Sequence, residues 1–140
     1  MGYHNLCMYS DDMENRIKAE HINETMLLFD LDGTLWDSGA GVAESWNQIL
    51  RRYFGSEYTL SAEDIHAVMG RTMTEIAEAL FPGMDPERRS EIFDECMFNE
   101  NEYLTEHGAV LFPLVRETLS VLRSAGYDMA VVSNCQSGYI

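Results

Sequence analysis

Apolar residues recur along this chain with two different periods, and the change of period divides it. From Met26 to Phe29 four apolar residues run unbroken into "DLDGT", the mark of a short buried strand that stops at a turn. "YDMAVVSNC" repeats the pattern further on, apolar through Ala130, Val131 and Val132 and halting at Ser133-Asn134. Between them the spacing becomes helical. Val42, Trp46, Ile49, Leu50 and Tyr53 fall on one helical face. Ser61-Ala-Glu-Asp64 and Thr72-Met-Thr-Glu75 are capping boxes, opening short helices that carry Ile65, Val68 and Met69 or Ile76 and Leu80. Asp85-Pro86 supplies an N-cap and a helix-starting proline for a longer segment through Phe93, Met97 and Leu104. The stretch from Val42 to about His107 therefore reads as entirely helical. Val115, Leu119 and Leu122 predict one more helix, closed by Gly126 as a left-handed C-cap.

The order strand, helical insert, helix, strand predicts an α/β chain whose two strands lie parallel, joined by a crossover that is right-handed by default. Residues 1–25 are polar and acidic without apolar periodicity and form a leader of uncertain order. Composition agrees with one globular domain: 46% of the 140 residues are hydrophobic and 24% charged. The formal net charge of −15 argues against nucleic acid and anionic membrane as partners. Cys7, Cys96 and Cys135 are odd in number and show no CxxC spacing, which points to reduced thiols and a cytoplasmic location. "MLLF" is far shorter than a membrane span.

The candidate chemistry lies at the end of the first strand. Residues two apart in a strand share a face, so Asp30 and Asp32 project together, at the edge where open parallel sheets bind ligands. Two adjacent carboxylates repel unless a cation lies between them, and Mg²⁺ prefers such oxygen ligands. A carboxylate beside Mg²⁺ can attack phosphorus, and its neighbour can move protons. The turn amides of Gly33 and Thr34 offer donors to phosphate oxygens, and Ser133 and Asn134 offer a hydroxyl and an amide from the second strand's end.

With these residues in view, the chain resembles the haloacid dehalogenase superfamily of phosphatases and phosphotransferases. "LLFDLDGT" is similar to its first motif and "AVVSN" to its second, and the helical stretch between them looks like the α-helical cap of phosphoglycolate phosphatase-like and β-phosphoglucomutase-like members. The resemblance implies part of a doubly wound parallel-sheet core at residues 26–40 and 108–140, with the cap at 41–107. It implies Asp30 as nucleophile, Asp32 as general acid and base, and Mg²⁺ held by the Asp30 carboxylate and the Asp32 main-chain carbonyl. Ser133 would hold the transferred phosphoryl group of a small phosphorylated metabolite, and Gly70 and Arg71 in "VMGRTMTE" would face substrate from the cap. The second aspartate favours phosphate esters over the carbon–halogen and phosphonate branches.

Members of the family also use a later lysine and a later acidic pair. The one lysine here is Lys18, and no acidic residue follows Asp128. The expectation is therefore the front portion of a longer enzyme, whose exposed sheet edge invites self-association. The alternative is a catalytically incompetent fragment that works through binding. Blander readings compete for single residues. The aspartate loop fits an EF-hand poorly, since Thr34 and Gly41 stand at its fifth and twelfth positions. Arg71 reads more readily as a solvated cap residue than as a ligand, and Trp36 and Trp46 more readily as packing at the core-to-cap junction, while Ser133-Asn134 taken alone reads as a strand-ending turn, an order that its place downstream of the first motif reverses. Lys18 or Asp11-Asp12 would have to replace the later motifs from within the unpatterned leader. The histidines show no metal-ligand spacing.

Overall fold

The computed structural model describes residues 25–139. All of the expected leader except Thr25, with Cys7, Lys18 and Asp11-Asp12, lies outside the described residues. In chain order the elements are β1 (Met26–Phe29), β2 (Trp36–Asp37), α1 (Gly39–Phe54), α2 (Ala62–His66), α3 (Met73–Leu80), α4 (Pro86–His107), β3 (Val110–Leu111), α5 (Val115–Ser124) and β4 (Asp128–Val131). They fall into two compact units, one holding β1, α5 and β4, the other running Asp30–Phe112 and resuming at Val132.

In the first unit β1 and β4 pair in parallel, Met26 opposite Asp128 and Phe29 opposite Val131, as the strand-helix-strand order predicts. The expectation of buried strands is corrected. Among the described residues the sheet has two strands, none of whose residues is buried, and Leu28 is 63% exposed and Val131 41%. Helix α5 stops just short of Gly126, whose φ of +91° is the left-handed geometry expected there. No residue of α5 is buried.

The second unit contains every buried apolar residue among those described. Its helices begin where the local chemistry dictates. Ser61 and Thr72 each accept from the backbone N–H three residues on while Asp64 and Glu75 accept from the cap's own N–H, so both capping boxes form. Asp85 accepts from the backbone N–H groups of Glu87 and Arg88, with Pro86 at the first helical position. The stretch is not continuously helical, however. Gly55, Gly70 and Gly83 take positive φ and turn the chain between helices.

Packing follows from the amphipathic faces. Trp46 of α1 meets Phe93 of α4 edge to face, with ring centroids 5.1 Å apart, and Leu50, Ile92 and Cys96 close the interface completely. Buried Asn47 clamps the loop before α2, donating to the Leu60 carbonyl and accepting from its N–H, both at 2.8 Å. One pairing was not legible: β2 and β3 form an antiparallel pair, Trp36 opposite Leu111 and Asp37 opposite Val110, which ties together the two ends of the helical insert.

Helix α1 opens on Gly39 for a steric reason. A Cβ there would lie 2.3 Å from His66 Nε2, and that ring must approach because His66 pairs with Asp37 Oδ1 at 2.8 Å. The His66 hydrogen bond, followed by the Gly39 N–H, holds the Asp37 carboxyl below its ordinary pKa.

Candidate active site

The segment from Asp30 to Ser38 is a tight loop organised around two acceptors. The Leu31 carbonyl receives the N–H groups of Thr34, Leu35 and Trp36, and the Trp36 carbonyl receives that of Gly33. Gly33 makes this possible with φ +76°, a conformation side chains disfavour. The geometry corrects one expectation. The amides of Gly33 and Thr34 are spent inside the turn, and neither residue lines the cavity described next. Thr34 contributes its hydroxyl instead, donating to Asp30 Oδ2 at 3.0 Å.

A cavity of about 70 Å³ opens within the second unit and brings together Asp30, Asp32, Gly70, Arg71, Ser133 and Asn134. Residues distant in sequence thus meet in one place. Asn134 fixes part of the wall by donating its side-chain amide to the Gly70 carbonyl at 3.1 Å. Arg71 is exposed and is the one cation among the described residues that line the cavity. Val68, Met69 and Ile76 supply an apolar side.

Asp32 is held far more firmly than Asp30. Its Oδ1 accepts from Trp36 Nε1 at 2.9 Å, Ser38 Oγ at 2.5 Å and the Tyr139 hydroxyl at 2.7 Å. Three donors on one oxygen fix the carboxyl's orientation and leave Oδ2 for other work. Trp36 and Tyr139 brace each other edge to face, 6.1 Å apart. Burial, with the Asp32 carboxylate adding to it, raises the Tyr139 pKa far above the usual phenol value, so Tyr139 stays a donor.

Glu100 of α4 also lines the cavity and is 5% exposed. Its Oε2 accepts from Trp46 Nε1 at 2.5 Å. Burial pushes its pKa up to about 7, against the opposing pull of Gln136 and Trp46. Neither Glu100 nor Tyr139 emerged from the sequence reading. A signal existed for Glu100, which sits on the helical face defined by Cys96 and Leu104, where an apolar residue is expected. For Tyr139 there was none.

Among the described residues no group of three or more His, Cys, Asp or Glu side chains converges on one point. The Asp30 carboxylate and the Asp32 main-chain carbonyl are hard oxygen donors, and Mg²⁺, which keeps several waters and takes one or two carboxylates plus substrate phosphate, fits so sparse a set.

Comparison with known proteins gives consistent results. The family described as haloacid dehalogenase-like hydrolase matches residues 27–140. Pyrophosphatase PpaX of Anoxybacillus flavithermus is 30% identical over 115 residues, covering 80% of this chain and 49% of that protein. A phosphoglycolate phosphatase of Vibrio vulnificus is 30% identical over 124 residues, covering 82% of this chain and 52% of its own length. Among solved structures, a hydrolase from Pseudomonas syringae is similar in fold with a TM-score of 0.63 at 22% identity, covering 82% of this chain and 51% of the other. The chain spans about half the length of the curated relatives it matches. Among the described residues no helix is long and apolar enough to cross a membrane.

Proposed function

The chain belongs to the haloacid dehalogenase-like hydrolase family, and on that premise we propose that it carries the nucleophile half of a Mg²⁺-dependent phosphatase acting on small phosphate monoesters. The observation that supports this reading is the meeting of Asp30, Asp32 and Ser133 at one cavity. Thr34 occupies Asp30 Oδ2, so Oδ1 is the oxygen that attacks phosphorus. The Oδ1–phosphorus bond forms as the ester P–O bond breaks, giving an aspartyl-phosphate. Asp32, its Oδ1 fixed by three donors, uses Oδ2 to protonate the departing alcohol. The same oxygen then takes a proton from the water that hydrolyses the aspartyl-phosphate, releasing inorganic phosphate and restoring Asp30. The Ser133 hydroxyl donates to the phosphoryl oxygens, and Gly70 and Arg71 face the substrate beyond. Mg²⁺ held by the Asp30 carboxylate and the Asp32 carbonyl would offset the charge of the phosphoryl oxygens.

The competing reading is a chain that binds without turnover. It draws on Tyr139, whose hydroxyl already occupies Asp32 inside the cavity. Mg²⁺-dependent hydrolysis of p-nitrophenyl phosphate, measured beside an Asp30→Asn variant, separates the two. Turnover that falls to background in the variant supports the phosphatase; a folded chain without turnover supports the binding role.

A further inference from the structure

The cavity contains a third carboxyl that the proposed chemistry leaves without a task. Glu100 is the only ionisable side chain among the described buried polar residues. A buried carboxyl is costly unless it is hydrogen-bonded, and a neutral glutamine would tie α1 to α4 as well. An ionisable group retained in a cleft that already holds two aspartates marks a functional position.

The geometry favours ligand contact. Trp46, fixed edge-on against Phe93, holds Oε2 in place. Gln136, whose Nε2 donates to Asn101 Oδ1 at 3.0 Å, also hydrogen-bonds the Glu100 carboxyl. A carboxylate has about four acceptor positions; these two partners use a part of them, and Glu100 lines the cavity. Charge then selects what can enter. Among the described residues Asp30, Asp32 and Glu100 line the cavity with Arg71 as the one cation beside them, in a chain of net charge −15. Once Glu100 is ionised, above its raised pKa of about 7, a group placed near it gains by donating hydrogen bonds, whereas a second anion meets like charge.

We propose that Glu100 is the specificity-determining residue of this cavity, selecting phosphate esters whose leaving group carries hydroxyl or ammonium donors and no second negative charge. The inference rests on the phosphatase reading above and narrows its substrate class to polyol or amino-alcohol phosphates. It separates this chain from the two relatives named above, since phosphoglycolate and pyrophosphate each carry a second acidic group.

The test uses the 140-residue chain with Mg²⁺, at a pH well above 7 so that Glu100 is ionised, and four probes: glycerol 1-phosphate, phosphoethanolamine, phosphoglycolate and pyrophosphate. Phosphate release gives kcat/KM, and titration calorimetry gives Kd whether or not turnover occurs. The expected result is a preference of at least roughly tenfold for the first two probes, collapsing toward unity in Glu100→Gln. The ratio is read within one sample, so a smaller folded fraction does not move it. Trp46→Phe, which frees the carboxyl from its indole donor, is expected to weaken the preference as well. Equal or better use of the diacids by the unaltered chain overturns the inference, as does a ratio unchanged in Glu100→Gln. Turnover insensitive to Asp30→Asn overturns the phosphatase reading alone, and binding of no probe overturns both.

Discussion

Leu50 in α1 and Ile92 in α4 are at most 1% exposed, while Leu28 in β1 is 63% exposed and Val121 in α5 51%. The four residues are similar in hydrophobicity, so composition does not explain the contrast. The helical unit buries its apolar stripes because α1 and α4 present them to each other, and α2 and α3 close the remaining sides. A parallel pair of strands is apolar on both faces and needs cover on both, and among the described residues no residue of β1, α5 or β4 is buried. A helical insert can thus complete its own core, whereas a strand depends on neighbours. The candidate site follows this division. The residues lining its cavity all belong to the helical unit or to the segment that resumes at Val132.

The contrast is broken most directly by truncating one leucine in each unit. Leu50→Ala is expected to cost about 2–5 kcal/mol, whereas Leu28→Ala is expected to stay within about 0.5 kcal/mol. Urea titration monitored by helix circular dichroism reads both, and equal costs would show that burial does not distinguish the units. Hydrogen exchange sharpens the point. Amides of α1 and α4 should be protected by far more than those of β1 and β4.

A smaller effect follows from Glu100. Its pKa is raised in the fold from 4.5 to about 7, so between those values the folded state holds a proton that the unfolded state has lost. Its contribution is therefore intact below pH 4.5, declines as pH rises toward 7 and is flat above. At about 1.4 kcal/mol per unit the decline amounts to roughly 3 kcal/mol. Stability measured against pH for the unaltered chain and Glu100→Gln should differ by that slope, and parallel curves would remove Glu100 as its source. Smallest are the caps: Thr72→Ala or Asp85→Ala should lower the unfolding free energy by about 1 kcal/mol, visible as a modest shift in the denaturation midpoint.

Sequence made the helical unit legible because its signals are local. Ser61, Thr72 and Asp85-Pro86 mark helix starts through bonds to residues two or three positions away, and those bonds form. The parallel pairing of β1 and β4 was legible from element order. What escaped depends on contacts far apart in the chain. The Trp36–Leu111 and Asp37–Val110 pairs involve strands too short to show alternation. The expected role of the Gly33 and Thr34 amides failed because the loop closes on itself through Leu31 and Trp36. Trp36, expected to pack, does so against Tyr139 and also donates to Asp32 from four residues away. Tyr139 reaches the same oxygen across most of the chain, a contact no local pattern encodes.

The most direct test of the central claim is to mix the chain with Mg²⁺ and p-nitrophenyl phosphate, quench with acid within the first turnover, and map the phosphoryl group by peptide mass spectrometry. The account predicts a phosphoryl adduct on the peptide containing Asp30, absent from Asp30→Asn. A phosphoryl group found on any other residue, or unchanged turnover by the Asp30→Asn chain, would contradict it.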